Sequence, residues 1–153
     1  MGQALVTNRH GHTLMVTRPS GSLELPGGES KLEEPAVRPA AYSLRRLGLH
    51  NTPGPLLTVD HMEAIPLGAT GDRFTFIFYC GQLTDSEAAA LLASPLPDDV
   101  TELTFLNPIY LHPSLSPYDR RCLDAALAAL RDKTGTPYLR NGIRSTRPLH
   151  LPT

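Results

Sequence analysis

The stretch from residue 73 to residue 80 constrains the fold of this chain more than any other. Phe74, Phe76, Phe78 and Cys80 alternate there with Thr75, Ile77 and Tyr79, and both sets are largely apolar. Successive side chains of a β-strand point to opposite faces, so this strand has apolar surface to bury on both sides. Such strands lie centrally in a sheet covered on both faces. The run Leu56–Met62 supplies a partner strand, with a loop at 64–71 between the two.

Layers to cover that sheet are legible on either side. Residues 4–7 and Thr13–Thr17 are short β-type runs around an Asn8-Arg9-His10-Gly11-His12 turn, and 23–25 reads as a third run broken by Pro26-Gly27-Gly28. Residues 38–47 have a helical period, with Val37, Ala41, Leu44 and Gly48 on one face and Tyr42, Arg45 and Arg46 on another. Pro35 and Pro39 set its start near residue 38, because proline is tolerated in the first turn but costs roughly 3 kcal/mol in a helix interior. Asp85–Ala93 reads as a helix capped by Thr84, residues 101–106 as a strand, and 117–131 as the clearest helix. Cys122, Leu123, Ala126, Leu127 and Leu130 form the apolar stripe of that last helix. The order implies an α/β (α+β) fold with a mixed central sheet between helical layers, in one domain of residues 1–142. Residues 134–153, rich in Pro, Gly and Arg, read as extended, with 143–153 as a C-terminal tail.

The length of 153 residues suits one domain with a core of its own. A net charge of -1 gives no footprint of a nucleic-acid binder or of a membrane-surface protein. Cys80 and Cys122 belong to no metal-binding spacing and read as two buried thiols. There is neither a signal-peptide pattern nor a run of the roughly 18 apolar residues that spans a bilayer, so the expected location is the cytoplasm.

Leu23-Glu24-Leu25-Pro26-Gly27-Gly28-Glu29-Ser30 resembles the opening of the Nudix box, and Leu47-Gly48-Leu49 resembles its close. Leu56-Leu57-Thr58-Val59-Asp60, Phe76-Ile77-Phe78 followed by Gly81, and Tyr138-Leu139-Arg140-Asn141-Gly142 resemble an actinobacterial group of that superfamily. The resemblance covers roughly residues 4–142 and implies a Nudix-like α/β/α sandwich. It also leaves room for a homodimer.

The catalytic half of the motif is missing. The family pattern is G, five residues, E, seven residues, then R-E-U-x-E-E-x-G-U, with U aliphatic. Counted back from Gly48, Ala41 stands at the arginine and Tyr42 at the next glutamate, while Arg45 and Arg46 replace the paired glutamates. The spacing from Gly28 is one residue short, and only Glu33 or Glu34 can fill the early glutamate. Magnesium takes a shell of hard oxygen ligands. Each unit charge near 4 Å is worth on the order of 4 kcal/mol at an effective dielectric of 20, so two guanidiniums in place of two carboxylates repel the ion. The reading is therefore no metal and no cofactor.

Other residues carry chemistry. Asp60, His61 and Glu63 are the densest acid/base group, with His61 and Glu63 on one strand face and Asp60 on the other. A His61/Glu63 pair would relay a proton. Glu24 and Glu29 flank the Pro26-Gly27-Gly28 turn and are candidate bases. Arg45 and Arg46, joined by Arg38, suit an anionic ligand. Leu25, Tyr42, Phe76, Phe78 and Tyr79 are candidate pocket walls, and Asp99 a lesser acidic candidate. Each also has an ordinary reading as core or solvated surface. His10 and His12 lack a third metal ligand, and Gly68-Ala69-Thr70-Gly71-Asp72 lacks the lysine of a phosphate loop.

Three functions fit these residues. The leading one is a metal-independent acid/base enzyme of isomerase, cyclase or lyase type, acting on a small organic molecule of specialised metabolism. The alternatives are a hydrolase of nucleoside diphosphates linked to another group, using unusual ligands, and a non-catalytic sensor of a nucleotide-like ligand.

Overall fold

In a computed structural model that describes residues 1–64 and 71–145, the chain folds as a mixed sheet between two helical layers. The elements run β1 (Gly2–Asn8), β2 (Thr13–Thr17), β3 (Leu23–Glu24), β4 (Gly27–Gly28), α1 (Val37–Arg46), β5 (Leu56–Met62), β6 (Arg73–Leu83), α2 (Asp85–Ala93), β7 (Glu102–Leu106), α3 (Pro117–Asp132), β8 (Tyr138–Arg140) and β9 (Ile143–Arg144). The main sheet order is β3-β2-β1-β6-β5-β8-β9, with β4 beside β1 and β7 beside β2. β1 pairs with β6 and β5 with β8 in parallel, and the other ladders are antiparallel.

β6 is central, as its two-sided apolarity requires, but its cover is incomplete. Ile77 is buried on the α3 side, among Leu5, Met15, Leu57, Leu123 and Leu139. On the other side Phe78 packs against the core under α1 and α2, whereas Phe74 remains 43% exposed. The expected double cover thus fails at one end of the strand, and a cavity lies there.

α1 meets the sheet at very short range. A Cβ on Gly2 would lie 1.7 Å from the Ala36 carbonyl oxygen, so only glycine lets the start of the helix approach β1. Gly27 is also tightly placed, since a Cβ there would lie 2.4 Å from the Gly2 oxygen, and here the Pro26-Gly27-Gly28 turn does more than break a strand: Gly27 and Gly28 pair with Gln3 and Gly2. Pro39 falls at the third helical position, where its missing N–H costs nothing. At the other end Gly48, with φ 85°, closes α1 by donating to Arg45 while Leu49 donates to Leu44. The buried face is Ala40, Leu44 and Leu47, about one residue round from the expected Val37/Ala41/Leu44/Gly48 stripe.

Within the expected extended stretch, residues 138–144 are strands of the sheet: β8 joins β5, and β9 folds back on β8. Residues 146–153 of the expected tail lie outside the described residues, as do residues 65–70 of the expected loop. Among the described residues no helix is long and apolar enough to cross a membrane.

Candidate functional site

A groove of about 650 Å³ runs between the outer side of α1, the β4 turn and the loop before β7. Arg38, Tyr42 and Arg45 follow each other at i, i+4 and i+7 and form an exposed ladder along its wall. α1, with the sequence VRPAAYSLRR, contains no carboxylate. The groove is lined by Arg18, Lys31, Arg38, Arg45 and Arg46 against Glu29, Glu34 and Asp99, and is therefore cationic.

Two of those cations are already paired. Asp99 receives two hydrogen bonds from Arg46, at 2.5 and 3.1 Å, and one from Arg18 Nη1 at 2.7 Å. The bond from Arg46 holds the Asp99 carboxyl below the usual carboxylate range. Arg18 also donates to Glu24 at 2.5 Å and to the Gly27 carbonyl at 3.3 Å. Arg46 lies over the Tyr42 ring, its guanidinium carbon 5.9 Å from the centroid. Arg38 and Arg45 form no ion pair among the described residues.

A second cavity, of about 1100 Å³, adjoins the groove and shares Glu29 and Glu34 with it. Phe74, Phe76 and Phe78 lie along one side of it, with Glu63 and Asp72 at its rim.

These contacts redistribute the sequence candidates. Tyr42, Arg45, Arg46, Asp99 and Glu29 meet in the groove, and Phe76 and Phe78 in the second cavity. Glu24 is neutralised by Arg18. Leu25 and Tyr79 belong to the core cluster beneath α3, on the opposite face of the sheet, and line neither of these two cavities. Asp60 is 1% exposed and works inside the protein: Tyr118 donates to it at 2.5 Å and the Gly142 N–H at 2.7 Å. Burial, and then this bond, push the Tyr118 phenol above its ordinary value. Cys80 and Cys122 are buried free thiols, raised by burial to about 11 and about 12.

The expected His61/Glu63 pair does not form. Glu63 instead ion-pairs with Arg140. His61 stacks on Phe74, at 4.7 Å between centroids and 9° between planes, and its Nε2 lies 2.7 Å from Asp72. Because the carboxylate accepts, Nε2 carries the proton, and in the neutral ring Nδ1 then accepts from the Tyr138 hydroxyl at 3.0 Å. Backbone donation from Ala64, followed by His61, keeps Asp72 below the usual carboxylate range. The sequence reading missed Arg18, Asp72 and Tyr138. No local pattern marks any of them, since each acquires its partner through the sheet.

Magnesium does not fit the groove. Asp99 is committed to two guanidiniums and Glu29 is 75% exposed beside Arg73. Among the described residues no three His, Cys, Asp or Glu side chains converge.

The fold and site define an α/β/α sandwich with a cationic, carboxylate-free helix beside an open groove. The structure matches the MutT protein from Methanosarcina mazei Go1 with a TM-score of 0.64 and 20% identity, over 87% of this chain and 93% of that one. It matches an ADP-ribose pyrophosphatase from Streptococcus suis 89-1591 with a TM-score of 0.65 and 16% identity, over 90% and 96%. A MutT NUDIX hydrolase from Burkholderia pseudomallei gives 0.53 and 19%, over 83% and 96%. No protein-family model and no curated protein matches the sequence. The chain therefore has the Nudix fold.

Proposed function

We propose that the protein is a cytoplasmic binder of a small phosphorylated, nucleotide-like ligand, which it holds in the groove without a divalent metal. The Arg38–Tyr42–Arg45 ladder carries this reading, because it offers two guanidinium forks with no carboxylate beside them on the same helix. Guanidinium matches phosphate geometry and holds its charge at any working pH. Lys31 adds a third cation at the groove edge. Asp99 and Glu24 together pair with Arg46 and Arg18, which keeps those side chains in place as the groove wall. An ADP-ribose pyrophosphatase of the same fold makes a nucleoside diphosphate the first ligand to try.

Calorimetric titration with ADP, in magnesium and in EDTA, tests the reading. Equal affinity in both, reduced about tenfold by Arg45→Ala, is the expected result. Magnesium-dependent release of phosphate from ADP-ribose would instead restore the hydrolase reading. Acid/base catalysis at the second cavity remains a second reading, favoured by the Tyr138–His61–Asp72 chain of hydrogen bonds. Its residues now exclude Asp60 and Glu24, and conversion of a candidate substrate that survives His61→Gln would eliminate it. Pairing of two copies is likewise a proposal, checked by light scattering in solution.

A further inference from the structure

The groove and the cavity beside it differ in charge and in surface. Five cations face three carboxylates in the groove, whereas the cavity is lined by Glu29, Glu34, Glu63 and Asp72 against Arg73 and the Met1 ammonium. Arg140, outside the cavity, answers Glu63. Arg73 reaches Glu29 only at 3.9 Å and places another nitrogen 3.7 Å from the Met62 sulfur. The Met1 ammonium is turned to the Phe74 carbonyl at 2.9 Å.

Phe74, Phe76 and Phe78 are on one face of β6, and the first keeps much of its ring in contact with solvent. Aromatic faces carry negative charge density and attract cations, most strongly where carboxylates surround them. Ser30 also lines this cavity, its Oγ buried and without a hydrogen-bond partner among the described residues.

We infer that this second cavity receives an organic cation, an amine or quaternary ammonium group, carried by the ligand whose phosphate lies in the groove. The phosphate half of this statement rests on the proposed function, but the cation half does not. The two halves meet at Glu29 and Glu34, which line both spaces. A ligand of this class is a phosphorylated amine, bound as an ion of both signs across the junction.

Calorimetry of the full chain with four probes tests the assignment: choline chloride, inorganic pyrophosphate, phosphocholine and ADP. Choline should bind, and phosphocholine should bind at least tenfold more tightly than choline. Phe74→Ala should weaken both fivefold or more and leave pyrophosphate unchanged. Glu29→Gln, at an exposed side chain, should weaken choline without disturbing the fold. Absence of choline binding overturns the proposal. So does ADP binding that is weakened by Phe74→Ala when choline does not bind, because the cavity would then hold a neutral base. Choline bound in a Phe74-dependent way while pyrophosphate and ADP fail would uphold the cavity and overturn the groove reading alone.

Discussion

Asp60 and His61 are neighbours on β5, and their fates differ completely. Asp60 faces α3, where a dry core encloses it and where Tyr118 and the Gly142 amide supply its hydrogen bonds. His61 faces the other way, stacked on Phe74 and tied to Asp72 and Tyr138 at the edge of an open cavity. The same contrast separates the two sides of the whole sheet. The α3 side is closed, and polar groups there hold strands and helix together. On the α1 side the cover is partial, so charged groups line open cavities there. Stability and binding should therefore be separable by face.

The sharpest way to break this comparison is Asp60→Ala. It leaves the Tyr118 hydroxyl and the Gly142 amide without an acceptor in the core, and should cost about 3 kcal/mol in urea unfolding. Binding of ADP by the protein that stays folded should be unchanged. A loss below about 0.5 kcal/mol, which is the usual range for a surface substitution, would mean that Asp60 is not the internal anchor.

Arg45→Ala should behave in the opposite way. Affinity for ADP falls about tenfold, equivalent to ~1.4 kcal/mol, while the unfolding free energy stays within about 0.5 kcal/mol of wild type. If stability falls and affinity does not, the α1 ladder is a structural feature of the helix end and not a binding wall.

Acidification sharpens the contrast within the groove. The bond from Arg46 lowers the folded-state pKa of Asp99 beneath its unfolded value, which is about 3.9. The stabilisation is therefore fully present above that value and is lost as pH falls through the lower folded one. Wild type should lose its stability advantage over Asp99→Asn below about pH 4, and thermal melts across that range would read it. An advantage that is independent of pH there would show that the Arg46–Asp99 pair contributes only packing.

The smallest expected effect is that of Glu63→Gln, which removes one charge from an exposed pair with Arg140. Its stability should change by less than about 1 kcal/mol. A larger loss would move Glu63 from the open side of the comparison to the closed one.

Local signals located many elements well. Thr84 caps α2 by accepting from Glu87, whose own side chain accepts from the Thr84 amide, and both residues lie within one turn. Ser116 and Pro117 start α3 in the same local way, and Gly48 ends α1. The two-sided alternation in β6 gave its central place in the sheet. What escaped notice was long-range: β8 beside β5, Gly27 beside Gln3, and Arg18 reaching Asp99 across 81 positions of sequence. The candidate site was legible as a set of residue types, with Arg45, Arg46, Tyr42 and Asp99 brought together, but not as a set of pairs.

By itself the sequence determined that this chain builds a mixed sheet with helices on both faces and that its α1 helix carries arginines and no carboxylate. Both follow from residue type and spacing along one element. Only the tertiary structure decided that Asp60 lies inside, that Glu24 and Arg46 are already paired, and that Phe74 is left open beside a cavity. Those outcomes depend on which face of the sheet a side chain reaches and on what the other elements set against it, and neither is written in local periodicity.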